Sequence, residues 1–162
     1  MFDSFGIMTT EELNELANNL KNEGDKDSIE ALAKENGLDP DIAKAFISGE
    51  IPVFADVLSA AIGKIDIEAK ELKPKEIVVD WINYIKARCL EDNNMAKAVR
   101  DKNKTLKGAL AALLTWSFQN AYDVDRDIVK EANVKAGRVK MGIPGSGTAK
   151  KLINEYYLGG AE

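Results

Sequence analysis

Helix start and stop signals recur along this chain at short intervals, and they leave little room for a sheet. Thr9 and Glu12 form a capping box ahead of Leu13, Leu16, Ala17 and Leu20, which share one helical face. Ile29, Leu32 and Ala33 mark a second helix, ended by Gly37 in the C′ position. Asp39 caps a third helix with Pro40 in its first turn, and Gly49 closes it. Val53, Phe54, Val57, Leu58, Ala61 and Ile62 predict a fourth, stopping near Gly63. Pro74 opens a longer helix with Ile77, Trp81, Tyr84, Ile85 and Cys89 on one stripe. Met95, Ala96 and Val99 predict a short helix. Thr105 caps the next, with Leu106, Leu110, Leu113, Leu114, Phe118 and Ala121 facing inward. Ile128 and Val129 mark another short helix. The last runs from about Thr148 to Gly159, with Ser146 or Thr148 as its cap. The expected fold is mainly α: one compact multi-helix domain with at most one short β element near 138–141.

With 162 residues, 45% of them hydrophobic, the chain is long enough for one domain with a real core. The stretches KNEGDKD and IDIEAKELKPKE serve as linkers in this reading, which sets an acidic helical subdomain over residues 1–70 apart from a helical core over 71–162. No apolar run approaches the ~20 residues that cross a bilayer. The opening MFDSFGIMTTEEL lacks the basic residues and apolar core of a secretory signal, and the single cysteine fits a reducing compartment. A cytoplasmic protein is expected. There are no histidines, which removes imidazole triads, imidazole metal sites and the commonest general base. Cys89 has no histidine to activate it and reads as a core residue. Neither an enzyme nor a cofactor is expected.

Charge divides unevenly. Residues 1–80 hold 8 Lys and Arg against 18 Asp and Glu, a net −10, while residues 81–162 hold 14 against 9, a net +5. Such a split gives a molecule two binding faces, or halves that neutralise one another after folding.

Four stretches invite a functional reading. GIPGSGTAKK, residues 142–151, imitates a phosphate loop, but Lys150 lies two residues too late, turned roughly 200° around a helix. Free N–H groups there, beside Lys150 and Lys151, would at most hold a backbone phosphate or a carboxylate. LAKENGLDPDIAKAF, residues 32–46, resembles a helix-turn-helix, yet its second helix would open on acidic residues that phosphates repel. Read with the opposite sign, Asp39, Asp41 and Glu50 imitate phosphates and occupy a protein's nucleic-acid groove. Asp123, Asp125 and Asp127 alternate like the start of an EF-hand loop, but Ile128 and Val134 stand where glycine and glutamate are needed. Finally, Arg100, Lys102, Lys104 and Lys107, with Lys135, Arg138, Lys140, Lys150 and Lys151, would track a nucleic-acid backbone if folding brought them together.

Three blocks carry a resemblance: WINYIKARCLED (81–92), LKGALAALLTWSFQNAYDVDRDIVKEA (106–132) and GIPGSGTAKKLINEYYLG (142–159). They resemble the PcfK-like proteins of conjugative elements in gut bacteria, over most of residues 73–160. The resemblance implies a product of a plasmid, phage or integrated element. One branch of that group is associated with inhibition of Cas9, so it implies an anti-CRISPR protein whose partner is Cas9 or its guide-RNA complex. A nucleic-acid-binding accessory protein of conjugation, with DNA as partner, is the alternative. Neither expectation involves a membrane.

Overall fold

Thr9 sets the start of the first helix. Its hydroxyl accepts from the Glu12 N–H at 3.2 Å, and the Glu12 carboxylate accepts from the Thr9 N–H at 2.9 Å. In the computed structural model, which describes residues 5–159, α1 follows as Thr10–Glu23. Gly24, at φ +76°, turns the chain, and Asp25 immediately caps α2 (Lys26–Glu35) through the Ser28 N–H. KNEGDKD is therefore a tight helix–helix turn rather than a linker. Asp39 caps α3 (Pro40–Ser48), as its place before Pro40 predicts.

The fourth helix departs from expectation. It spans Val57–Leu72 (α4) and runs straight through Gly63. Gly63 is a contact, not a stop: a Cβ there would lie 2.1 Å from the Asn36 carbonyl oxygen. IDIEAKELKPKE is accordingly mostly helical. Lys73, in the left-handed region at φ +49°, ends α4, and α5 (Ile77–Glu91) begins three residues after Pro74. Asp92 caps α6 (Asn93–Arg100), and Thr105 caps α7 (Leu106–Gln119) by accepting from the Gly108 N–H at 3.0 Å.

A short excursion follows, of β1 (Tyr122–Asp123), α8 (Arg126–Glu131) and β2 (Lys140–Met141). The extended piece expected near 138–141 is thus one half of a two-stranded antiparallel sheet, with Tyr122 opposite Met141. The last helix is α9 (Ser146–Leu158), with Gly145 in the cap position and no side-chain cap from Ser146 or Thr148. Among the described residues the fold is mainly α, with nine helices and this one small sheet. No helix among them is long and apolar enough to cross a membrane.

Two apolar clusters fill the interior. One is built on Leu13, Ile29, Leu32 and Phe46 from the first three helices and Phe54 from the segment between α3 and α4. The other is built on Ile65, Ile85, Met95, Leu106, Leu113 and Ile153. They meet within α4, where Ala60 belongs to the first and Ala61 to the second. Two buried cations tie the seam. Arg100, 2% exposed, donates to the Met8 carbonyl at 2.7 Å, the Ala60 carbonyl at 3.2 Å and Asn36 Oδ1 at 2.5 Å. Lys64, fully buried, donates to the carbonyls of Val99 at 2.6 Å, Asp101 at 3.0 Å and Lys104. Glu68 lies 3.7 Å from Lys64 and accepts from the first N–H of α7. Burial pushes Arg100 down to about 10 and also lowers Lys64, while it raises Glu68. Carbonyl acceptors make these buried charges tolerable.

Candidate protein-docking surface

α7 is apolar almost all the way round, which is a property of helices covered on every side. Leu106, Ala109 and Leu113 face the core. Between Lys107 and Asp123 the chain carries no charged residue. Yet Leu114 is 58% exposed and Phe118 81%. These two were expected to face inward, and that expectation fails: on a helix with no polar stripe, spacing alone does not say which apolar side meets the body.

Beside Leu114 and Phe118 lies an open groove of about 510 Å³ between α5 and α7, walled by Ile77, Trp81 and Leu110. Ile143 closes one end. It is held there by Gly142, whose missing Cβ lets the chain come back onto α7; a Cβ would sit 2.6 Å from the Ser117 carbonyl oxygen. Ile143 itself is 65% exposed. The lining is almost wholly apolar, so it offers burial and shape, not a reaction.

The excursion between α7 and α9 extends this surface. From Tyr122 to Ile143 no residue is buried, and Tyr122, Ile128, Val134 and Met141 stand outward. Its order comes from polar contacts. Asp123 accepts from Arg138 Nε at 2.7 Å and Nη2 at 2.8 Å, a bidentate pair, and Val124 N–H donates to the Val139 carbonyl. The Arg138 hydrogen bonds hold the Asp123 carboxyl below its usual range, and Asp123 raises Arg138 in return.

The charged candidates are scattered. Asp39 accepts from the Asp41 N–H, Asp41 pairs with Lys44 at 3.3 Å, and Glu50 lies beyond the opposite end of α3. Lys102 pairs with Glu12 at 2.9 Å, and Lys104 donates to the Tyr156 carbonyl at 2.8 Å. Both stand near the start of α7, with Lys107, while Arg138 and Lys140 lie past its far end. Fourteen residues of α7 separate these groups by about 20 Å. Lys150 lies over the Tyr84 ring, and Lys151 faces Glu155 at 3.8 Å. Arg100 is buried and cannot track a backbone at all.

Asp125 caps α8, and Asp127 lies 3.8 Å from Lys130. Among the described residues no three His, Cys, Asp or Glu side chains group as metal ligands would. Cys89 is 3% exposed, and burial pushes its thiol up to about 11, as an inert core residue should be. No protein-family model matches the chain, and neither a curated protein nor a solved structure matches it.

Proposed function

We propose that this chain is a small non-catalytic binding protein that inhibits Cas9 by direct association, docking through the outer face of α7 and the groove beside it. The observation that carries the docking face is Phe118, 81% exposed on a helix with no charge near it and continuous with Leu114 and Ile143. Contiguous exposed apolar surface of this kind marks a protein contact, and a protruding aromatic is the usual anchor of one. The choice of Cas9 rests on the PcfK-like resemblance. An inhibitor needs no reaction of its own; it needs to cover or lock a surface that guide, target or conformational change must use.

The test is co-purification of the tagged protein with guide-free and guide-loaded Cas9, with and without target DNA, at about 0.15 M salt. Binding that prevents target association is the expected result. No binding in any of these states removes Cas9 as the partner.

The alternative, a nucleic-acid accessory protein of conjugation, draws on Lys107, Lys135 and Lys140, which make no ion pair among the described residues. It requires DNA affinity that falls with salt at a log–log slope of roughly −0.9 per phosphate contact. Absence of DNA binding at low salt eliminates it.

A further inference from the structure

We infer that Asn36–Gly37 is a latent modification site, a dipeptide that deamidates spontaneously and stays unreacted only while the seam between the two apolar clusters is closed. Asn36 is the one asparagine in the sequence that a glycine follows. Glycine in that place favours the reaction, because no Cβ hinders the approach of its backbone nitrogen to the asparagine side chain. In the step itself the Gly37 nitrogen attacks Asn36 Cγ. The new N–Cγ bond closes a cyclic imide, the Cγ–Nδ2 bond breaks, and Nδ2 leaves as ammonia with the Gly37 amide proton. Water then opens the imide at either carbonyl, which leaves an aspartate or an isoaspartyl residue at position 36.

The fold opposes each part of this step. Asn36 is fully buried, and its side-chain amide is held at both ends. Nδ2 donates to the Leu32 carbonyl at 2.8 Å, and Oδ1 accepts from Arg100 Nη2 at 2.5 Å. The Gly37 N–H, the nucleophile's proton, is engaged as well, donating to the Lys34 carbonyl at 3.2 Å. Gly37 sits at φ +66° with its backbone against Gly63, and neither glycine has space for a Cβ. The side chain therefore cannot swing toward the Gly37 nitrogen unless it leaves Arg100 or the turn lifts off α4. These are one event: the guanidinium that holds Asn36 also holds the Met8 and Ala60 carbonyls.

The two products differ in consequence. An aspartate keeps the shape of asparagine, and its carboxylate still accepts from Arg100. An isoaspartyl residue adds a main-chain carbon just before Gly37, where the backbone contact with Gly63 leaves no room for it. Openings of the seam thus admit a change that prevents reclosure, and the folded population ages at the rate at which this seam opens. None of this draws on the function proposed above.

Peptide mapping by mass spectrometry reads the reaction directly. The full chain is incubated in mildly alkaline buffer, folded and, in parallel, in urea above its unfolding midpoint. Loss of Asn36 in the folded chain is expected to be at least about tenfold slower than in urea. Equal rates overturn the inference, as does an Asn36 that stays intact in urea. Variants in the folded buffer then locate what holds the site. Arg100→Met removes the guanidinium, and Gly63→Ala displaces the Gly37 contact while leaving the guanidinium in place. Either is expected to bring the rate toward the urea value. Leu113→Ala, a truncation in the second cluster on α7, should raise it less at equal melting temperature. A Leu113→Ala chain that loses Asn36 as fast as both seam variants contradicts the role of the seam.

Discussion

Arg100 and Cys89 show how single residues are fixed by surroundings far away in sequence. The Arg100 guanidinium reaches Met8 across 92 residues, Asn36 across 64 and Ala60 across 40. Arg100→Met keeps the volume but removes three buried hydrogen bonds and leaves the Met8 carbonyl and Asn36 Oδ1 without the guanidinium, each loss costing on the order of 1 kcal/mol. Urea unfolding should show a loss of about 3 kcal/mol with an unchanged slope. A loss under about 0.5 kcal/mol would mean water replaces the guanidinium without strain. Cys89 makes a prediction in pH. Burial raises its thiol from an ordinary value of 9.0 to about 11 in the fold, so the folded state keeps a proton that the unfolded chain releases earlier. The stability this supplies is complete below about pH 8.5 and is lost as pH rises through 11, about 3 kcal/mol in all. Cys89→Ala removes the titration at the cost of a constant packing term. The stability gap between wild type and variant should therefore narrow above about pH 8.5. A gap that stays constant to pH 11 would place the thiol in contact with water.

At the scale of elements, glycine has two opposite roles. Gly63 and Gly37 let α4 touch the α2–α3 turn, with no space for a Cβ on either. Gly63→Ala should destabilise by about 2 kcal/mol or more, although alanine is the better helix former. Gly147, in the first turn of α9, has nothing within 4 Å of where its Cβ would be. Gly147→Ala should leave stability unchanged or raise it by about 0.5 kcal/mol. Thermal melts of the two variants separate the roles, and equal shifts would contradict the close approach at Gly63. The same contrast explains what the sequence reveals. The Thr9–Glu12 box, Asp39 before Pro40, and Thr105 were legible because a cap acts within three residues of itself. Gly63 was misread because a contact 27 residues away, not local conformation, requires it. Leu114 and Phe118 were misread because a helix without charges gives spacing no polar side to refer to. The missing charge between Lys107 and Asp123 was the signal for the candidate surface, and it was visible in the sequence. The burial of Lys64 and Arg100 was not, since nothing near either residue encodes it.

For the whole molecule, the opposed charges of the two halves partly meet across the fold, in Lys102–Glu12 at 2.9 Å and Lys86–Asp66 at 2.5 Å. These pairs are partly exposed and contribute little to stability. They also occupy cations that a nucleic-acid surface would need free. The excess that remains unmet is apolar: Leu114, Phe118 and Ile143 around one groove, with an excursion beside them that buries none of its own residues. Association through such a surface should change little with salt, whereas phosphate contacts weaken steeply. The most direct measurement is target cleavage by guide-loaded Cas9 with excess wild-type protein and, in parallel, with excess Phe118→Asp of equal melting temperature. The account predicts that wild type suppresses cleavage and that Phe118→Asp restores most of it. Full cleavage in the presence of wild type, or equal suppression by both proteins, would contradict it.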